Sequence, residues 1–266
     1  MIRTGVGRTA TSIMIRTGPA RRALVLTVAA GCLAAVTTAA CSSPSGPSRH
    51  PAPSATTSPP PRGFSATVDN PWFPLPPGRT LVYSGVKDGA KSTEYLTATR
   101  EIQKITGVPC RVVADRLYVG GTLRESTRDY YSQDAAGTVW YFGEDTAELD
   151  EHGNMLSTEG TWHAGRDGAR PGVFLPARPV PGATGQQEFY PGQAEDRFQV
   201  LDLSSRVSVP YKSFEGALRT KEWTPLEPGV VDNKYYVRGI GTVREVTVKG
   251  GPFEENVLTA IRNGGG

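Results

Sequence analysis

The residues that most often carry out catalysis are scarce in this sequence. Its 266 residues include only three histidines and three cysteines. It has no Gly-x-Ser-x-Gly elbow, His-Glu-x-x-His pair, Walker A loop or Cys-x-x-Cys pair, and no Gly-x-Gly-x-x-Gly run after a strand. These absences remove the common hydrolase, zinc-protease, nucleotide-binding and dithiol templates. Cys32 and Cys41 sit near the start and Cys110 is alone in the remainder, which leaves no pair for an internal disulfide there and no cysteine metal cluster. Cys110 lies among Val108, Val112 and Val113, the setting of a buried, inert thiol. His50 falls in a Pro/Ser tract, His152 in a Gly/Asn turn and His163 beside Trp162. These read as linker, turn and strand-edge residues, and no serine stands in an activating context.

Acidic residues are missing from the first 40 positions, which hold Arg3, Arg8, Arg16, Arg21 and Arg22. The whole chain carries a formal +3, but without that segment 24 basic groups face 26 acidic ones, a net of about −2. The basic excess therefore belongs to the leader, and a nucleic-acid partner is not expected. Ala23 to Ala40 are eighteen uncharged residues behind three arginines, the pattern of a secretory signal. The pentapeptide MIRTG occurs at both Met1 and Met14, so translation can begin at either. The stretch ends Thr38-Ala39-Ala40-Cys41-Ser42-Ser43, which resembles the lipobox of bacterial lipoproteins. That resemblance implies a diacylglycerol on the Cys41 thiol, cleavage just before that residue and acylation of the new amine, with palmitate-type chains. Two or more chains on one cysteine anchor a protein stably. Cys32 after Ala29-Ala30-Gly31 is a rival cleavage point, and an uncleaved membrane anchor or plain secretion are the other outcomes.

Residues 41–62 contain seven prolines and six serines, which cannot form a core and favour extended conformers. At about 3.1 Å per residue such a tether reaches roughly 65 Å. The expected organisation is a signal peptide over 1–40, a disordered tether over 41–62 and one domain over 63–266. That domain reads strand, turn, strand. Strands are predicted at Thr80–Val86, Ser92–Ile105, Cys110–Val119, Thr122–Gln133 and Thr138–Phe142. Later ones are predicted at Gln186–Tyr190, Asp196–Val209, Ala217–Trp223, Asn233–Arg238, Thr242–Lys249 and Glu254–Ile261. No long amphipathic helix is visible. The fold class is mainly β: a single antiparallel meander or half-barrel sheet.

Carboxylates are the better candidates for chemistry. Glu144 and Asp145 follow the aromatic run Trp140-Tyr141-Phe142, and Glu222 lies between Lys221 and Trp223. A glycosidase uses two carboxyls flanking a sugar, often beside aromatic platforms. The alternative is surface acids at a strand end and a cross-strand Lys–Glu pair. Asp150-Glu151-His152-Gly153-Asn154 lacks the ligand spacing of a calcium loop and reads as a hairpin turn, so neither a metal nor any other cofactor is expected. Trp140, Phe142, Trp223 and Tyr236 pack a core or line an apolar concave face, a site for a lipid-like ligand or a partner.

Several stretches resemble one family of uncharacterised exported bacterial β-rich proteins, many of them lipoproteins. They are Asn70-Pro71-Trp72-Phe73-Pro74-Leu75, Trp140 to Thr146, Ser157-Thr158-Glu159-Gly160, Thr220 to Leu226, Lys234-Tyr235-Tyr236 and Gly239-Ile240-Gly241. The resemblance runs from Asn70 to Val246 and carries no catalytic residue. More distantly, the Tyr-Tyr-x-x-Gly-x-Gly stretch is similar to envelope carriers that hold acyl chains in half-barrels beneath covering helices. The expectation is a membrane-tethered envelope lipoprotein with a non-catalytic binding or structural role. It would sit on the outer face of the cytoplasmic membrane, with its membrane contact through the N-terminal lipid. A glycan hydrolase and a protein-interaction module are the alternatives.

Overall fold

The structure is a computed structural model that describes residues 11–12, 15–16 and 63–264. The rest of the expected signal peptide, the expected tether over 41–62 and both cleavage candidates, Cys32 and Cys41, lie outside the described residues. Thr11–Ser12 and Ile15–Arg16 form a two-residue antiparallel pair.

From residue 63 onward the described chain is strand, turn and loop, without a helix. The first half runs β1 (Arg79–Lys87), β2 (Ala90–Ile105), β3 (Val108–Val119), β4 (Thr122–Gln133) and β5 (Val139–Leu149). Short elements follow: β6 (Met155–Ser157), β7 (Trp162–His163), β8 (Arg170–Leu175), β9 (Thr184–Gln186) and β10 (Glu188–Phe189). The second half is β11 (Arg197–Ser208), β12 (Ser213–Trp223), β13 (Val231–Val237), β14 (Gly241–Lys249) and β15 (Glu255–Asn263). The fifteen form one antiparallel sheet in the order β9-β11-β12-β13-β14-β15-β1-β2-β3-β4-β5-β8-β10, with β6 and β7 also paired to β5. This is the expected meander.

The two ends of that order, β9 and β10, are consecutive in the chain and separated by Gln187 alone. Residues 184–189 therefore pair with β11 on one side and β8 on the other, and the sheet nearly closes into a barrel. Closure removes the unpaired edges that an open sheet exposes. The closing segment passes so near Gly172 that a Cβ there would overlap the Gln187 carbonyl, which fixes glycine at that position.

The chain from Val68 to Leu75 packs into the apolar core at one end of the barrel. Phe73 meets Phe174 at 4.5 Å and Tyr131 at 5.3 Å, and Tyr131 stacks on Tyr141 at 4.7 Å and 22°. Asn70 is the fastener of this plug. Its amide donates to the Gly137 carbonyl at 2.9 Å and the Pro176 carbonyl at 3.3 Å, and its Oδ1 accepts from the Trp72 amide at 2.9 Å. Arg238 lies 4.1 Å from the Trp72 ring and the Gly239 amide donates to the Pro71 carbonyl at 2.7 Å, so the β13–β14 turn closes over the plug.

Asn70 is buried, so its loss strands two carbonyls and one amide in a dry setting. Asn70→Ala is expected to destabilise the fold by about 2–3 kcal/mol. Chemical denaturation read by tryptophan fluorescence checks this, and Asp69→Ala on the exposed side serves as the control.

Candidate functional site

Alternation along the strands sends every second side chain inward, and near the plug these are tyrosine, phenylalanine and valine. Further along they become ionisable. Glu94 on β2, Asp115 on β3, Glu125 and Asp129 on β4, Glu144 on β5, Glu188 on β10, Glu222 on β12 and Lys234 on β13 are all buried. Burying so many carboxyls in one sheet protein needs either cations or protons.

Glu222 has a cation. Its Oε2 lies 2.8 Å from Lys234 Nζ, and its Oε1 accepts from Thr220 Oγ1 at 2.8 Å and Tyr236 Oη at 3.0 Å. Burial by itself would lower the Lys234 ammonium, but Glu222 and Glu245 outweigh it and hold it well above the usual lysine range. The cross-strand Lys–Glu pair expected around Glu222 thus exists, with Lys234 of the neighbouring strand as its cation. Lys221 instead lies 4.7 Å from the Trp223 ring.

Glu144 is not the surface acid that the strand end suggested. A bulge at Gly143 opposes Asp129 to Glu144 but Tyr131 to Tyr141, so one extra residue enters β5. Gly143 has φ 128°, and a Cβ there would overlap the Trp162 carbonyl. The bulge reverses the alternation, turning Glu144 inward and Asp145 outward. Burial pushes the Glu144 carboxyl well above its usual range, and repulsion from Glu188 and Asp129 adds to this. Asp129 and Glu188 are raised in the same way, each by burial first and then by Asp115 and Asp196 respectively. Burial and then Asp115 push Glu125 up to about 7.

On the outside, Asp145 accepts from Tyr130 Oη and lies 2.8 Å from His163 Nε2, with the His163 ring edge-on to Tyr130 at 5.4 Å. Arg128 reaches Glu101 at 2.5 Å on the same face. Sequence reading passed over this grouping because Asp145 and His163 are 18 residues apart and meet only once β7 pairs with β5.

The aromatic candidates divide. Tyr236 is fully buried, whereas Trp140 and Phe142 on the outer face of β5 are covered edge-on by Phe64 at 6.0 and 5.2 Å. Trp140 Nε1 also donates to Asp134 at 2.9 Å. Cys110 is buried and its thiol pushed up to about 12 by that burial, as its apolar neighbours implied. Asp150 accepts from the backbone amides of His152 and Asn154, which makes residues 150–154 the expected turn.

An open apolar concave face is not seen among the described residues, because tyrosines and carboxyls fill the interior. One pocket, lined by Lys87, Asp232, Glu245, Glu254 and Asn256 among others, measures about 20 Å³, and another beside Phe73 and Ile240 about 10 Å³. Each has room for about one water molecule, far below the several hundred Å³ of a typical ligand pocket.

No known protein family matches the chain, and no curated protein does. Among solved structures, it is similar to a candidate exported protein with a YmcC-like fold from Bacteroides fragilis. That likeness has 13% identity over 72% of this chain and 99% of the other, with a TM-score of 0.42. It is also similar to a candidate lipoprotein from Parabacteroides distasonis, at 13% identity over 72% of this chain and 98% of the other, with a TM-score of 0.31.

The buried pair gives a direct test. Lys234→Met leaves Glu222 buried without its cation, and the expected loss is about 3–5 kcal/mol. Combining it with Glu222→Gln should recover a large part of that loss. A double-mutant cycle of denaturant midpoints measures both.

Proposed function

We propose that the protein is an exported envelope lipoprotein, acylated at Cys41 and carrying its barrel on the 41–62 tether, with a non-catalytic binding or structural role. The observation that carries this reading is Thr38-Ala39-Ala40-Cys41 placed at the end of an uncharged stretch of eighteen residues, Ala23 to Ala40, and directly before a proline-rich tract. Small residues before the cysteine suit the signal peptidase, and the tract after it suits a spacer. In this reading the barrel works on the outer side of the cytoplasmic membrane.

A filled interior supports a role played on the exterior. Met155 and Leu156 on β6, and Val248 and Phe253 around the β14–β15 turn, are large apolar side chains more than half exposed. A partner or an apolar ligand would meet these rather than enter the barrel. The glycan-hydrolase alternative draws less support. Its two carboxyls must flank a cleft that a sugar can enter, yet Glu144 and Glu222 are both buried and Glu222 is neutralised by Lys234. Asp145 alone of the three candidates stays accessible, at 48% side-chain exposure.

Intact-mass measurement of the chain extracted from bacterial membranes tests the proposal, with Cys41→Ala as the comparison. The expected mass is that of cleavage before Cys41 plus acyl chains, with the variant unacylated and processed differently or not at all. A native chain cut elsewhere, or cut without acyl mass, would make it a secreted or anchored protein instead.

A further inference from the structure

Asp129 and Glu144 face one another across the β4–β5 pair, and the Tyr141 hydroxyl sits between them. Its oxygen lies 2.7 Å from Asp129 Oδ1 and 3.3 Å from Glu144 Oε2. A phenol has one proton and donates one hydrogen bond. If that proton goes to Asp129, the contact with Glu144 is attractive only when Glu144 brings a proton of its own and donates it to the phenol oxygen. Three oxygens in a row, fully buried, therefore need two protons.

The same group borders the place where the barrel closes. Glu144 opposes Trp162 across the β5–β7 pair, and Trp162 Nε1 donates to Glu188 Oε1 in the closing segment at 3.1 Å. Among the described residues, Glu188 Oε2, Asp129 Oδ2 and Glu125 Oε2 are buried and accept no hydrogen bond.

We infer that a proton held by Glu144, against Tyr141 and Asp129, fastens the seam between β5–β7 and residues 184–189, and that losing it loosens this seam.

The titratable and charged groups around it are mostly of one kind. β3 brings Asp115, β4 brings Glu125, Asp129 and Tyr131, and β5 brings Tyr141. The closing segment brings Glu188, followed by Asp196. Two buried cations act on this group and both are engaged elsewhere: Lys234 of β13, which faces Glu188, by Glu222 and Glu245, and Lys87 of β1, which faces Glu125, by Glu254. A second or third negative charge here meets repulsion in a poorly screened setting, and burial already holds Glu144, Asp129 and Glu188 above the usual carboxylate range. Such carboxyls keep protons that the unfolded chain releases near pH 4. Their contribution to stability is complete below that range and disappears as pH rises through the folded-state values. The device makes the barrel tightest in acid and loosest in alkali, the reverse of a protein fastened by ionised carboxylates.

The test is made on the full chain between pH 5.5 and 9. Each proton held only by the folded state lowers the folding constant up to tenfold per pH unit. The expected result is a melting temperature that falls with pH. Hydrogen exchange, corrected for its intrinsic pH dependence, should accelerate first in residues 139–149, 162–163 and 184–189. Glu144→Gln keeps a donor for the phenol oxygen without a titration, and should remove close to one proton from the slope. Equal slopes in native and variant chains, or exchange that accelerates uniformly, would overturn the inference. If Glu144→Gln does not fold, the native chain decides alone, through the order in which its segments exchange and through its proton count. Proton release on unfolding the native chain at pH 6.5 decides independently: at least one proton supports the inference, and none or an uptake overturns it.

Discussion

A sheet that curls on itself must fill its own interior with the alternate side chains of its strands, and every charge among them must be matched or neutralised. Much of this molecule follows from that requirement. Moving an ion from water into a barrel core costs several kcal/mol even after relaxation, so an interior with buried carboxyls on β2, β3, β4, β5, β10, β12 and β13 is stable only as a network. One part is an ion pair, Glu222 with Lys234, completed by two hydroxyl donors. Another, at the open end of β1, is Lys87 with Glu254 at 3.0 Å. The carboxyls of β4, β5 and the closing segment fall to the remaining solution, which is the proton. Hydrogen-bond donors from Tyr141, Thr127 and Trp162 then set which oxygens remain acceptors.

The apolar end has a different problem, since a barrel without covering helices leaves its mouth open to water. The looped stretch Val68–Leu75 answers it. It turns back on itself, with the Phe73 amide donating to the Asn70 carbonyl at 3.0 Å and the Leu75 amide to the Val68 carbonyl at 2.9 Å, and Trp72, Phe73 and Leu75 continue the apolar core inside. Asn70 then supplies the polar contacts that an irregular segment lacks. Arg79 works alongside it, donating to the carbonyls of Pro74, Gly239 and Ile240, so that plug, first strand and the β13–β14 turn share one cation.

The long strands were legible because they alternate and end in glycine turns, and Thr122–Gln133 was read to the residue. The strands β6, β7 and β8 were not. They span three, two and six residues, and β8 opens Arg170-Pro171-Gly172, which reads locally as a turn. Only the exposed edge of β5, present after folding, makes them strands. Glu144 illustrates the same limit inside a correctly read element. Counting alternate positions from Tyr141 puts Glu144 outside, and the extra residue at Gly143 puts it inside. A single glycine in a strand hints at a bulge, but the direction in which every later side chain points depends on whether the bulge forms. Lys234 was likewise visible as a residue without being visible as the partner of Glu222, because Thr220, not Glu222, is its direct register neighbour across β12–β13.

That one bulge also separates two chemical environments a single residue apart. Glu144, sent inward, is held among carboxyls and aromatics. Asp145, sent outward, meets Tyr130 and His163 at the surface and remains half exposed. Without the bulge the two acids would exchange places, Asp145 facing the crowded interior and Glu144 facing His163. The strand β7 depends on the same glycine, because the Trp162 carbonyl lies where a side chain at 143 would be. Tyr141 below the bulge, Trp162 beside it and Glu144 above it thus take their places together. The closing contact to Glu188 is made by the Trp162 indole, so the join of this barrel rests on a backbone irregularity that only glycine permits.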